Sequence, residues 1–196
     1  MLFRSSGFAP PRPDDNFDPT DSRFTPVSAE RSTNSEFGVR SDAFRGLRLE
    51  AAFYRIDFRN QIVPGESVGL PQFTWANAGR TLNQGVETSA RWELDRWLPA
   101  GHSVAVNVAY TRLIVAKFNS DQLTDGVNVR GNRLPYAPGH LFHPGVFYRH
   151  RKGWTGSVSW DSISRQFADG RNRTAGSVDG MTGLIPGFST LQASFA

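Results

Sequence analysis

The chain has 196 residues, no cysteine, 38% apolar and 20% charged residues, and a mean hydropathy of −0.42. Disulfide frameworks and thiolate chemistry are excluded, and no stretch approaches the roughly 18 apolar residues of a membrane helix, although alternating barrel strands escape such averages. The net charge of +4 comes from arginines scattered mostly singly among acids, with no basic run longer than Arg149–Lys152, so nucleic-acid binding is not expected.

The opening MLFRSSGFAPPRP lacks the apolar run of a signal peptide. The expectation is a chain that either stays inside the cell or lacks its true N-terminus. Leu2–Ala9 is a short candidate strand, followed by a connection over 10–31 rich in Pro, Asp and Ser. Thr33–Ala43 then alternates, with Phe37, Val39 and Ala43 on one face against Glu36, Arg40 and Asp42. After a tight turn at Phe44–Gly46, Leu47–Val63 is expected to turn Ala52, Tyr54, Ile56 and Phe58 one way and Arg55, Asp57 and Arg59 the other.

A long connection is expected over 64–82. Asn83–Trp97 (NQGVETSARWELDRW) follows, with Val86, Thr88, Ala90, Trp92 and Leu94 against Glu87, Ser89, Arg91, Glu93 and Asp95. The short turn Leu98–Gly101 leads into His102–Phe118, with Val104, Val106, Val108 and Tyr110 in phase. The connection 119–138, the strand Gly139–Arg151, the turn Arg151–Gly153 and the strand Trp154–Phe167 come next. A connection over 169–188 and a last strand, Thr190–Ala196, complete the chain. Pro144 falls inside a predicted strand, where it lacks a ladder donor and is best placed at the start of the strand or at a bulge.

Eight strands and no credible helix make an all-β, antiparallel chain. Leu47–Val63 and His102–Phe118 are about three times the ordinary strand length of 5–6 residues. Connections alternate between tight turns and loops of about twenty residues. Compact soluble domains rarely need such loops, whereas outer-membrane barrels pair short periplasmic turns with long extracellular loops. Trp92, Trp97, Tyr110, Phe142, Tyr148, Trp154 and Trp160 mostly share the apolar face, as interfacial girdles do.

The segment PVSAERSTNSEFGVRSDAF followed by LRLEAAFYRIDFRNQIV resembles the barrel of TonB-dependent outer-membrane receptors. The matching residues are Ser32, Asn34, Glu36, Gly38 and Arg40, then Phe53, Asp57, Asn60 and Gln61; Ala29 replaces the proline of the family's Pro-Glu pair. Asn77, Gly79, Gly85 and Glu87 match the next element, and GNRLPYAPGH (Gly131–His140) a loop-to-strand passage. SRQFADGRN and GLIPGFSTL are similar to ferric citrate-type receptors.

The resemblance implies an up-and-down transmembrane β-barrel of 22 strands, of which residues 1–196 supply about eight, the thirteenth to the twentieth. The plug domain and the last two strands are expected to lie outside the chain, which reads as truncated at both ends. The implied function is TonB-dependent uptake of a ferric siderophore or ferric citrate in the bacterial outer membrane. Lipid, the receptor's own plug and TonB are the implied partners. No enzyme activity and no resident cofactor are expected, the ferric chelate being the transported ligand. A self-contained small outer-membrane barrel and a soluble β-sheet ligand-binding protein are the alternatives.

His140 and His143, three apart on a strand, are expected on opposite faces, so no metal site is expected there. The sequon Asn172-Arg173-Thr174 is a match of the kind chance supplies. The candidate ligand-binding residues are Arg130, Arg133, Arg165, Gln166, Arg171 and Arg173, with Arg80 also in a loop. Guanidinium groups suit carboxylate-rich anions. Arg165, Gln166 and Arg171 are expected to face an extracellular vestibule.

Overall fold

The structure, a computed structural model, describes residues 1–18, 23–24, 27–70 and 73–196. Eight long strands form one antiparallel sheet in chain order: β1 (Leu2–Ala9), β2 (Glu30–Phe44), β3 (Leu47–Pro64), β4 (Trp75–Glu93), β5 (His102–Phe118), β6 (His140–His150), β7 (Thr155–Ile163) and β8 (Phe188–Phe195). Each pairs only with its sequence neighbours, and the sheet is not closed: β1 and β8 are its edges. Among the described residues the only helical pieces are short 3₁₀ turns at Pro13–Asp15, Gly65–Val68 and Asp95–Trp97. Among the described residues no helix is long and apolar enough to cross a membrane, which says nothing of strands.

The alternation of tight and long connections holds. Two residues join β2 to β3, where Gly46 adopts φ of 79°, a value that favours glycine. The first and second long connections run partly outside the described residues, at 19–22, 25–26 and 71–72.

Several boundaries differ from the sequence reading. The connection expected over 64–82 is shorter, because β4 already begins at Trp75. Asn77, Gly79 and Arg80 look like loop residues, but Asn77 and Gly79 pair with Ile62 and Gln61 of β3, while Arg80, at the register shift, bonds through its backbone to Asn119 and Ser120. Leu94 and Asp95 lie beyond the end of β4. There Asp95 turns back to accept bonds from the Val104 amide and the Ser103 hydroxyl, both at 3.1 Å. Pro144 sits neither at the start of a strand nor at a bulge. It pairs with Val108 on β5, and the ladder to β7 lapses at His143 and Pro144 while register is kept on either side, as a residue without N–H requires.

Directly paired residues share a face, so the register sorts the side chains. One face carries Phe37 and Val39 of β2, Leu49 and Phe53 of β3, and Val86, Ala90 and Trp92 of β4. It continues through Val106, Val108 and Tyr110, then Phe142 and Val146, then Val158 and Trp160, then Leu191 and Ala193. In β3 this overturns the expected apolar set. Leu47, Leu49, Ala51 and Phe53, followed by Arg55 and Asp57, share the face of Trp92 and Val86, whereas Ala52, Tyr54 and Ile56 stand beside Glu87, Gly85 and Asn83. Both parities of β3 contain apolar residues, so only the pairing decides.

The apolar face is exposed in this sheet: Phe37 is 55% accessible, Val158 49% and Leu191 73%. Aromatic rings border it at two levels. At the turn end Trp92 meets Trp97 edge to face at 5.3 Å, and Trp154 meets Phe195 at 5.8 Å. Towards the loop end Tyr110, Phe142 and Trp160 make a second row, with centroids 6.4 and 5.9 Å apart. Aliphatic residues fill the space between. This is the pattern of a lipid-facing belt with two interfacial girdles.

The opposite, concave face is polar. Arg40 pairs with Glu50 at 2.7 Å, Arg91 with Glu93 at 3.3 Å, and His143 with Asp161. A trough of about 810 Å³ runs along it, lined by Phe3, Glu36, Arg40, Glu50, Glu87 and Thr111. Gly85 lies here, at the register shift between β4 and β5. A Cβ at this position would stand 2.5 Å from the Tyr54 hydroxyl and 2.7 Å from the Arg112 carbonyl, so only glycine fits.

Candidate functional site

At the loop end the connections 119–139 and 164–187 fold onto each other. Each carries a two-residue ladder, Leu123–Thr124 with Val127–Asn128 and Gln166–Phe167 with Leu184–Ile185. The first ladder turns at Asp125-Gly126, both at positive φ, the dipeptide of a tight hairpin. Their shared core is small: Val129 is fully buried and Ala168 nearly so, and a Cβ on Gly170 would lie 3.2 Å from the Phe118 ring.

Polar clasps fix the two loops together. The Asn172 side chain receives the Arg133 amide at 2.7 Å and donates to the Arg133 carbonyl at 2.8 Å. Asn132 donates to the Gly170 carbonyl at 3.0 Å. Asp169, 8% exposed, accepts the amides of Arg171 (2.8 Å) and Gly183 (3.2 Å) and the Arg173 Nε (3.3 Å). Burial pushes its pKa up, but the two amides and the Arg173 charge outweigh that and hold it below the ordinary carboxylate value. Arg173 reaches across to Asp125 at 3.1 Å. Residues of one loop thus satisfy charges and backbone of the other.

The six candidate residues fall into different environments. Arg133 is half-buried and gives its guanidinium to the carbonyls of Ala137 (2.7 Å) and Leu113 (3.2 Å). Burial, with Arg112 nearby, lowers its pKa. Arg173 and Arg171 lie beside Asp125, at 3.1 and 3.8 Å. Arg130 pairs with Asp121 at 3.0 Å and is largely exposed. Gln166 is half-buried in its ladder. Arg165 is exposed and has no hydrogen-bond or ion-pair partner among the described residues. Arg80 is a structural clamp, with its Nε and Nη2 on Asp57 at 2.9 and 2.6 Å.

The sequence reading missed Asp169, Asn172 and Asp125, which hold the arginines in place. The Asp125-Gly126 dipeptide was the available signal. Motif residues are likewise structural: Asn77 binds the Ser28 carbonyl (2.8 Å) and the Asn60 carbonyl (3.0 Å), securing Asn60 at φ of 59°. His140 and His143 stand on opposite faces, with Tyr110 and Arg112 around the first and Asp161 beside the second. No group of three or more metal-ligating side chains occurs among the described residues.

A family model described as "TonB dependent receptor-like, beta-barrel" matches residues 5–196. Among solved structures, the ferric citrate transporter FecA in its unliganded form is 31% identical, with 84% of this chain covered and a TM-score of 0.64. The ferric yersiniabactin uptake receptor FyuA from Yersinia pestis is 20% identical over 99% of the chain, TM-score 0.64. The siderophore receptor PiuA from Acinetobacter baumannii is 16% identical over 98%, TM-score 0.68. The chain spans 23% of the first of these proteins and 26% of each of the other two.

Proposed function

Because this chain belongs to the family of TonB-dependent receptor β-barrels, we propose that residues 1–196 form part of the wall and outer loops of an outer-membrane receptor that imports a ferric chelate. The rest of the receptor supplies the plug and the remaining strands. Loops capture the chelate, TonB delivers energy from the inner membrane, and the plug rearranges. The substrate undergoes no covalent chemistry.

The observation that carries this reading is the pairing of an aromatic-bordered apolar face with arginine-bearing loops at one end of the same strands. The 31% identity to a ferric citrate transporter favours a carboxylate-rich chelate. Arg165, exposed and unpartnered, is the loop cation freest to form a bidentate bond with such an anion. The open edges at β1 and β8 weigh against an eight-stranded closed barrel.

The test is replacement of Arg165, Gln166 and Arg171 by Ala in the receptor, with equilibrium binding of ferric citrate as readout. Losing one charged contact is expected to weaken binding about tenfold or more. Protease resistance of the loops controls for Arg171, which also faces Asp125. Unchanged affinity with intact loops removes these residues from the ligand site.

A further inference from the structure

The concave face of the sheet is divided along β5. On β2, β3 and β4 it is charged: Arg40 pairs with Glu50, Arg48 with Asp42 at 3.0 Å and Arg91 with Glu93, while Glu36 and Glu87 add further carboxylates. On β6, β7 and β8 it is small and hydroxylic. Thr190, Gln192 and Ser194 of β8 face it, beside Ser157 and Ser159 of β7 and Gly145 of β6. Asp161 is the only carboxylate on these strands, and it is paired with His143. The Ser157 and Ser194 hydroxyls bond each other at 2.7 Å. Asn107 of β5 marks the boundary, its side-chain oxygen accepting from Arg91 at 3.3 Å.

The loops divide in the same way. The connections 119–139 and 164–187, which join β5 to β6 and β7 to β8, hold Arg130, Arg165 and Arg171. The connection 65–74, which joins β3 to β4 above the charged half, contains no arginine, lysine or histidine. At the turn end a cavity of about 460 Å³, lined by Ser103, Phe147, Arg149, Ser157 and Ser194, continues the hydroxylic strip. An anion leaving the loop arginines therefore meets, down β6, β7 and β8, one neutralised carboxylate, then hydroxyls and an amide, and at the far end a guanidinium.

The two halves suit different tasks. Ion pairs enclosed between wall and plug are costly to part, because each parting leaves a charge uncompensated. Hydroxyls and amides exchange a protein partner for water at little cost. Passage of a solute requires contacts that are favourable yet weak enough to be left, and the acids of β2, β3 and β4 repel an anion. We propose that the concave face of β6, β7 and β8 is the wall along which the anionic ferric chelate passes through the receptor, and that β2, β3 and β4 form the wall it avoids. The inference rests on the ferric-chelate reading above.

The experiment uses the complete receptor in cells, with ferric citrate as the probe. Equilibrium binding is measured on outer membranes, and uptake of radioactive iron at saturating ferric citrate. Gln192→Glu adds a charge at almost constant size, on an exposed side chain. It should slow saturated uptake about tenfold, the effect of one like charge on the passing anion, with binding and receptor level unchanged. Gln192→Lys should not slow uptake. Ser89→Glu puts the same negative charge on the concave face of β4 and should leave uptake within about twofold of the wild type. Uptake by Gln192→Glu equal to that of the wild type overturns this inference alone. So does equal slowing by the Glu and Lys variants, which would reflect disturbance of the wall, or by Ser89→Glu, which would remove the distinction between the halves. A wild-type receptor that does not bind ferric citrate overturns the ferric-citrate reading and the inference with it.

Discussion

The sheet wall and the loop layer obey different solvents. Nearly every strongly buried side chain other than Ala105, including Val129, Ala168 and Asp169, lies at the loop end. The wall has its backbone ladder and two exposed faces, one apolar and one charged. The loop layer buries a small apolar core and a carboxylate whose partners are all supplied, as a water-soluble domain does. The difference teaches that stability in the wall depends on which side a residue faces. In the loop layer it depends on whether polar groups are paired.

The sharpest way to break this contrast lies in the wall. Ala90 stands in the apolar belt, in the row of Leu49 and Val108, while Ser89 beside it lines the trough. In the complete receptor, Ala90→Arg should cost about 2–4 kcal/mol of folding free energy in lipid vesicles and Ser89→Arg far less. Equal tolerance of the two would reverse the faces.

In the loop layer the corresponding break is Asp169→Asn, which leaves Arg173 and one amide poorly matched. About 1–3 kcal/mol of local stability should be lost, read as faster amide exchange at Gly183 with the wall unaffected. Because the folded state depresses the Asp169 pKa, its contribution is complete above the unfolded value of about 4 and is lost as pH falls through the lower folded value. Protection of the Gly183 amide, measured against its intrinsic exchange rate at each pH, should therefore fall on acidification below about pH 4, and in Asp169→Asn it should not depend on this step.

Gly85→Ala tests steric closure of the wall and should cost about 1–3 kcal/mol in the same vesicle assay. Adding Tyr54→Ala should recover only part of the loss, because the Arg112 carbonyl remains in the way. The smallest effect is expected at Arg130→Gln, whose ion pair with Asp121 is exposed on both sides. No change in loop protease resistance should be detectable, and a clear loss would mean that surface pairing matters in the loop layer after all.

The wall was legible because period-two alternation leaves a signature, clearest at Val86–Glu93, where polar residues occupy one parity without interruption. It failed in β3, where Leu49 and Phe53 compete with Ile56 and Tyr54, and pairing to β4 rather than parity selects the face. The family resemblance was legible in spaced Gly, Asn and Glu residues. What Asn60 and Asn77 do, holding a positive-φ residue against the chain before β2, needed the fold. At the candidate site residue type was a poor guide. Arg133 and Arg165 are the same amino acid, one spent on the backbone carbonyls of Ala137 and Leu113 and the other free, and only the folded loop distinguishes them.

Gly85 also bears on how such sequences diverge. The position is closed twice, by the Tyr54 ring and by the Arg112 carbonyl, and only the first of these can be removed by mutation. The constraint is therefore one-way. A lineage can lose the tyrosine and keep the glycine, but losing the glycine first leaves no single compensating change. Among descendants of this sequence, glycine at 85 should outlive tyrosine at 54, and side chains at 85 should arise only where the bulge between β4 and β5 has itself been rebuilt.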